Sequence, residues 1–405
     1  MIRKLRIENF SPFGNLVLDF PKIDEEGLAE VHLITGVNGT GKTRLLALIA
    51  ALLGEPSHLV RRLGNEKISV AAANTGQGIH PALKGSRSNI TPHGGAFHSW
   101  ASKVPAFAYR GDVYLDDAKV QVLAQVQAPS RSQCLSFHKP KQSSDEFLQA
   151  ITNLKIQAAM ESLDSESGQN SNALLIVKAI ERAIQEITER PFSFRVRSHP
   201  APEISVDIGL ESPLPVRMLP DGLRSIIGWL AHSAVMLDLL DKNESNPFEA
   251  EAVFIFDEIE MHLHPAWQRK ILPAFQKMFP KAQMFVATHS PFLISSLNHG
   301  WIHSLSLNEN GTVVAEKPVK ASEGDSYITV LEDIMGLREW YDPETESLLK
   351  DFRKRRETAI AGNAKAKSEA ISMAEKISGR SAELKLMMEQ EIKQLERLAS
   401  AVVAS

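Results

Sequence analysis

The sequence predicts an α/β protein built on a mainly parallel central sheet, and three observations carry that prediction. Residues 252–257, 265–279, 283–288 and 291–297 alternate strand-like and helix-like patterning in strict succession, the mark of βα units. The apolar stretch 31–35 runs straight into GVNGTGKT (36–43) and then the helical pattern RLLALIAALL (44–53), a strand, a phosphate-type loop and a helix in order. The 405 residues, 43% hydrophobic and 23% charged, suit one large domain or two smaller ones with a substantial core.

Composition narrows the chemistry. The one cysteine, Cys134, excludes an internal disulfide framework and a thiolate zinc cage. No apolar run approaches the roughly 20 residues that span a bilayer. MIRKLRIENF alternates like a strand rather than a signal peptide. The expectation is a cytoplasmic protein without membrane contact. A net charge of −4 supplies no global attraction for nucleic acid, so any DNA contact is local or made through a partner.

In chain order, residues 2–9 and 16–20 read as an N-terminal antiparallel β region joined at Ser11-Pro12-Phe13-Gly14. Residues 64–103, rich in Gly, Ser, Asn and His, read as a long loop or lid. The basic residues in and beside it (Arg61, Arg62, Lys67, Lys84, Arg87, Lys103) read as a solvated surface, with DNA contact the alternative. Residues 104–109 look like another core strand. Helical spacing over 144–190, broken at 165–172, suggests a helical hairpin inserted into the core. Residues 192–197, 204–210 and 216–219 are strand-like, and a helix follows from Leu223 to about Leu240.

After a β-pair at 302–307 and 312–315 the composition changes, dividing the chain into a head over 1–320 and a C-terminal helical extension over 321–405. Asp342-Pro343-Glu344 combines an N-cap, a proline at the first helical position and an acid in the first turn. Beyond it, Met388, Ile392, Leu395 and Leu398 keep spacings of three and four. This narrow stripe suits a solvated helical hairpin packed on the core, or a docking face for a partner.

Residues 36–43 fulfil G-x-x-x-x-G-K-T, a P-loop. Small residues let consecutive backbone N–H groups close around phosphate oxygens, and the helix N-terminus adds positive potential. Gly36, Asn38, Gly39, Gly41, Lys42 and Thr43 are therefore candidate contacts to ATP, with Lys42 reaching the β- and γ-phosphates and Thr43 ligating Mg²⁺. VFIFDEIEMHLHP (253–265) supplies the rest. Apolar residues ending in Asp-Glu make a buried strand whose tip presents Asp257 to Mg²⁺ and Glu258 to the attacking water as general base. His262 and His264 flank Leu263 before the helix-starting Pro265 and read as loop residues, since thiolates and an H-E-x-x-H pair are both missing. VATHSP (286–291) ends another strand and puts His289 near the γ-phosphate edge.

Together, IRKLRIENFSPFGNLVLDF, the P-loop, the Asp-Glu strand and the terminal histidine resemble the ABC-type, AAA-family ATPase heads of the SMC, RecF and OLD group over roughly residues 1–310. DEIEMHLHP resembles that group's D-E-P-E-x-H-L-H-P element, with Ile259 in place of proline. The resemblance implies a head-to-head dimer or higher oligomer, in which residues 259–264 cross the interface and a signature segment caps ATP from the second subunit. LPDGLRS (219–225) is the candidate signature, although Pro220 lacks both a hydroxyl and an N–H, and Asp221 would repel a phosphate that it faced. Asp221, Gly222, Arg224 and Ser225 are thus the candidate contacts in trans, with Asp221 read as the helix cap and Arg224 or Ser225 as the reaching side chain. An ordinary capped helix start is the alternative. Gln121 and Gln125 are the candidates for a Mg²⁺-sensing glutamine.

OLD nucleases append a Toprim domain with a Glu and a D-x-D cluster. Here Asp325, Glu332, Asp333 and Asp342 lie on helical or turn-like sequence, so the chain is not expected to cleave DNA itself. The stretch SYITVLEDIMGLREWYDPETESLLKDF (326–352) resembles the ATPase subunits of prokaryotic antiphage systems of the Septu and retron-associated kind. That resemblance implies an ATP-hydrolysing regulatory subunit controlling a separately encoded HNH-type nuclease effector, with a reverse transcriptase and its RNA/DNA product as a further partner. The alternative is a RecF/SMC-like DNA-binding ATPase in repair.

Overall fold

The structure, a computed structural model, describes residues 1–54, 67–75, 78–86, 100–111, 115, 117–135, 137, 141–164, 172–197, 199, 202–240, 246–321, 324, 326–337 and 339–403. Two compact units divide it, Met1–Val330 and Leu331–Ser405.

In the first unit, strands β1 (Lys4–Phe10) and β2 (Gly14–Asp19) open the chain, and β3 (Glu30–Gly36) enters the main sheet. Strands β4 (Lys67–Thr75) and β5 (Gly78–Ser86) precede β6 (Ala106–Arg110), β7 (Ser193–Arg197), β8 (Glu203–Asp207) and β9 (Leu214–Pro215). Strands β10 (Ala252–Asp257), β11 (Ala282–Ala287), β12 (Trp301–Leu307), β13 (Val313–Ala315) and β14 (Val319–Lys320) complete the set. The main sheet runs β13–β12–β3–β11–β10–β6, with β14 also on β12. The four pairings from β12 through β3, β11 and β10 to β6 are parallel. β10 and β11 are buried at every position, as unbroken apolar strands must be when both faces of a parallel sheet are covered. The expected mainly parallel α/β architecture is present.

Helix α1 (Lys42–Leu53) follows β3, and every residue from Leu45 to Leu53 lies in the core. The helical insertion consists of α2 (Lys141–Asp164) and α3 (Asn172–Thr188), the latter burying Ile176, Val177, Ile180, Ile184 and Ile187 along one stripe. Helix α4 (Asp221–Leu240) contains a wider π-turn at Ile227–Ala231. It corrects one expectation, being the single described helix long and apolar enough to cross a membrane. Leu223, Ile226, Ile227, Trp229 and Leu230 are nevertheless packed inside this unit. Helices α5 (Pro265–Met278) and α6 (Pro291–Ile294) complete the alternation.

Two further expectations change. The lid or loop predicted over 64–103 is, where described, largely a hairpin of β4 and β5. β5 pairs parallel with β1, so the order becomes β2–β1–β5–β4. The free edge of β1 offers unpaired N–H and C=O groups, and β5 satisfies them. Arg61, Arg62 and Arg87 lie outside the described residues. The strand predicted over 216–219 is a 3₁₀ turn, closed by Leu219 N–H donating to Val216 O at 3.1 Å.

The second unit holds three helices rather than a hairpin: α7 (Pro343–Ile360), α8 (Ala364–Ser378) and α9 (Ala382–Val403). The break falls at Gly362, in left-handed backbone at φ 99°, followed by Asn363, whose side chain caps α8 through Ala366 N–H at 3.0 Å. The apolar stripe points inward. Met388 and Leu395 join Leu349, Phe352, Ala370, Ala374, Ile377 and Leu384 in the unit's own core, with Ile392 half-buried against it. Three narrow stripes suffice for a small bundle, and the alanines of α8 let its neighbours approach closely. The side chain of Leu398 lies outside the described residues.

The main sheet also buries polar groups. Gln283 donates its amide to Ile2 O (2.8 Å), accepts from Ile2 N–H (2.7 Å), and reaches His32 Nε2 at 3.3 Å. With Nε2 accepting, His32 Nδ1–H donates to His303 Nε2 at 3.2 Å. Both imidazoles are fully buried. Burial pushes His303 down to about 4, and burial with the neighbouring His303 and Arg3 holds His32 well below its ordinary 6.5. Unfolding frees both to take protons, so the unfolded chain binds more protons once the pH falls through 6.5, and stability drops from there, the His303 share until about pH 4. Thermal melting at pH 7 and pH 5 should show a clear fall, with a shallower fall in His303→Leu; identical pH dependence in both proteins contradicts this account.

Candidate nucleotide-binding site

The parallel register sets the geometry. Ile34 on β3 stands opposite Ala287 on β11, and Ala287 stands opposite Asp257 on β10. The loops leaving these strands therefore emerge at one level on the carboxyl edge of the sheet, where α/β proteins hold ligands. They enclose an open cleft of about 550 Å³ lined by Asn38, Gly39, Gly41, Lys42, Thr43, Arg44, Asp257, Glu258, Ala287, Thr288 and His289, with Pro12 of the β1–β2 turn at its side.

The structure brings together the two halves predicted from separate motifs. Thr43 Oγ1 donates to Asp257 Oδ1 at 3.0 Å. Lys42 Nζ curls back over the loop, donating to Gly36 O at 2.7 Å and Val37 O at 3.2 Å. Burial lowers the Lys42 pKa, opposed by Glu258, Asp257 and Glu260. His289, half-buried in the wall of the cleft, is held below its ordinary value by burial and then by Lys42. A hydroxyl beside a buried carboxylate is the hard-oxygen pair that suits Mg²⁺, which takes few protein ligands and completes its shell with phosphate and water. Thr43 and Asp257 fit that role.

Glu258 follows the end of β10 with left-handed backbone, φ 57°, uncommon for a residue with a Cβ. Its N–H donates to Ala287 O at 3.0 Å. On the other side, Gly111 N–H donates to Asp257 O at 2.8 Å, and a Cβ on Gly111 would stand 1.8 Å from Glu258 O. Gly111 is thus required by close approach. The sequence offered no sign of it.

The candidate signature residues sit elsewhere. Asp221 is not the cap: Pro220, at φ −54° and ψ 144°, occupies that position without a side-chain bond, and Asp221 is the first helical residue. Its carboxylate pairs with Arg224 one turn on, and Arg224 also donates to Leu115 O at 3.2 Å. Ser225 is fully buried. A Cβ on Gly222 would lie 2.6 Å from His262 O, so this glycine lets α4 pack on the loop 259–264. None of the four lines the cleft. Gln121 and Gln125 do not line it either, and Gln149 brackets the Gln121 backbone with two 2.7 Å bonds. His262 is a loop residue at φ 62°, and His264 caps α5, its Nδ1 accepting from Ala266 N–H at 3.2 Å. Among the described residues no group of three or more His, Cys, Asp or Glu could hold a metal ion.

Sequence reasoning missed Glu260. Its Oε1 accepts from Thr288 Oγ1 (2.6 Å) and His289 N–H (2.7 Å), and burial pushes its carboxyl up against the pull of those bonds. The pair spans 28 positions, so periodicity carries no trace of it.

A family model described as "AAA domain, putative AbiEii toxin, Type IV TA system" matches residues 114–295, and one described as "AAA domain" matches residues 4–97. Among curated proteins the chain is 41% identical over 78 residues to the Retron Ec83 probable ATPase of Escherichia coli, covering 19% of this chain and 14% of that protein. It is 25% identical over 331 residues to a Septu protein PtuA of Bacillus mycoides, covering 80% of this chain and 43% of that protein. The chain spans less than half the length of these curated relatives. Among solved structures, the Smc head domain with an extended coiled coil from Pyrococcus furiosus is 13% identical with a TM-score of 0.43, covering 82% of this chain and 98% of that one.

Because the Gly111 Cβ position meets backbone rather than a movable side chain, Gly111→Ala must displace the turn that carries Glu258. The expected cost is about 1–3 kcal/mol of stability. Thermal melting of the variant beside the wild type checks this, and an unchanged melting temperature rejects the close-approach argument.

Proposed function

We propose that this chain is an ABC-type AAA ATPase that binds Mg²⁺–ATP in the cleft at the sheet's carboxyl edge, hydrolyses it, and serves as the ATPase subunit of a prokaryotic antiphage defence system. The observation that carries the nucleotide reading is the 3.0 Å bond from Thr43 to Asp257. It joins residues 214 positions apart where a loop shaped for phosphate meets a buried carboxylate. In this reading the backbone N–H groups of residues 36–43 hold the phosphates, and Lys42 exchanges its two carbonyl partners for anionic oxygens. Thr43 and Asp257 hold Mg²⁺, which when bound neutralises charge on the phosphate oxygens. Glu258 accepts the proton of the attacking water, and His289, in the cleft wall, orients the reacting phosphate.

The similarity to Septu and retron ATPases supports the defence reading. The chain then works in the cytoplasm as a head-to-head dimer or higher oligomer that restrains a separately encoded nuclease, of HNH type, and releases it on infection. The three-helix unit remains the docking candidate through its outer faces, since its apolar stripe is used internally.

Lys42→Ala should lose nucleotide affinity. Glu258→Gln should keep ATP binding, lower turnover by about 10²–10⁴-fold, and accumulate the ATP-bound dimer. Chelating Mg²⁺ should stop hydrolysis in the wild type. Turnover by Glu258→Gln at the wild-type rate rejects the assignment of the base. Co-purification from the native operon tests the partner: a nuclease recovered with the full chain supports it. Mg²⁺-dependent DNA cleavage by the purified chain alone overturns the division of labour.

A further inference from the structure

The proposed chemistry leaves Glu260 and Gln268 without a task, yet they make a dense set of side-chain bonds beside the cleft. Glu260 Oε1 accepts both the Thr288 hydroxyl (2.6 Å) and the His289 backbone N–H (2.7 Å). Thr288 Oγ1 in turn accepts Ser290 N–H at 2.9 Å. From α5, Gln268 donates Nε2 to Leu263 O at 2.9 Å and Glu260 O at 3.3 Å, while its Oε1 accepts Ser290 Oγ at 2.5 Å. Thr288, His289 and Ser290 are thereby each bonded to the 259–264 loop, directly or through Gln268. The second oxygen of Glu260 is buried and has no hydrogen-bond partner. An unpartnered buried carboxylate oxygen is costly, and a packed apolar side chain would fill the site without that cost.

We propose that Glu260 is a positioning residue for the hydrolysis assigned above: it sets the backbone of His289 so that the imidazole stands at the cleft, and with Gln268 it makes the 259–264 loop and the 288–290 segment move as one body. The inference rests on the ATPase reading. Its consequence is mechanical. Whatever displaces the 259–264 loop also displaces His289, because no freely rotating link separates them. One acceptor oxygen does the positioning, so a glutamine in place of Glu260 retains the essential group and an alanine does not.

The test compares wild type, Glu260→Ala, Glu260→Gln, His289→Ala and the double variant Glu260→Ala/His289→Ala, with Glu258→Gln as the control for hydrolysis. Glu260→Ala should lower kcat about tenfold or more while KM and the Kd for a non-hydrolysable ATP analogue stay within about twofold. Glu260→Gln should recover most of that loss. The double variant should turn over no more slowly than His289→Ala, because Glu260 acts through His289. Wild-type kcat in Glu260→Ala overturns the proposal, as do losses that multiply in the double variant or a Kd that weakens in step with kcat. A wild type no faster than Glu258→Gln has a different meaning: the ATPase reading itself fails and takes this role with it.

Discussion

The hydrogen bond between Thr43 and Asp257 depends on a single rung of the main sheet. Asp257, Ala287 and Ile34 stand side by side across β10, β11 and β3, so the carboxylate tip and the P-loop leave the sheet at the same height. Side chains alternate faces along a strand, and a slip of one residue in either pairing would turn Asp257 away from Thr43. What guards against the slip is burial. β10 and β11 are enclosed at all positions, with Phe254, Phe256 and Phe285 among their fully buried side chains, and any other register would break that packing.

Around this rung the molecule accepts local strain. Glu258 and His262 both hold left-handed backbone, which costs a non-glycine residue on the order of 1 kcal/mol. The hydrogen bonds that brace Glu258 come from rigid strands on either side, from Ala287 O and through the Gly111–Asp257 contact. Backbone held this way does not need to be ordered when a ligand arrives, so less conformational entropy is lost on binding. The same reasoning applies to His289, whose backbone is tied to Glu260.

The candidate signature segment is held in place by packing within its own chain. Arg224 meets Asp221 and Leu115, Ser225 is enclosed, and Gly222 admits the carbonyl of His262. Of these, Gly222 lets α4 approach the 259–264 loop within one chain. In the second unit, likewise, Met388 and Leu395 are core residues because two neighbouring helices present matching stripes.

By itself the sequence determined the alternation of strands and helices, the P-loop, the Asp257–Glu258 tip and the helical insertion. Each is a local pattern, written in contiguous residues by periodicity, capping or a motif whose spacing the chemistry dictates. It also marked the Asp342 cap, whose carboxylate accepts from Glu344 and Thr345 N–H at 3.1 Å. Only the tertiary structure decided the pairing of β5 with β1, the inward turn of the Met388–Leu395 stripe, the need for glycine at 111 and the bond from Glu260 to His289. All four depend on partners far along the chain. Which segment satisfies an open strand edge, faces an apolar stripe or approaches a glycine is settled by the competition to bury apolar surface and pair every polar group, and that competition leaves no spacing in the sequence to read.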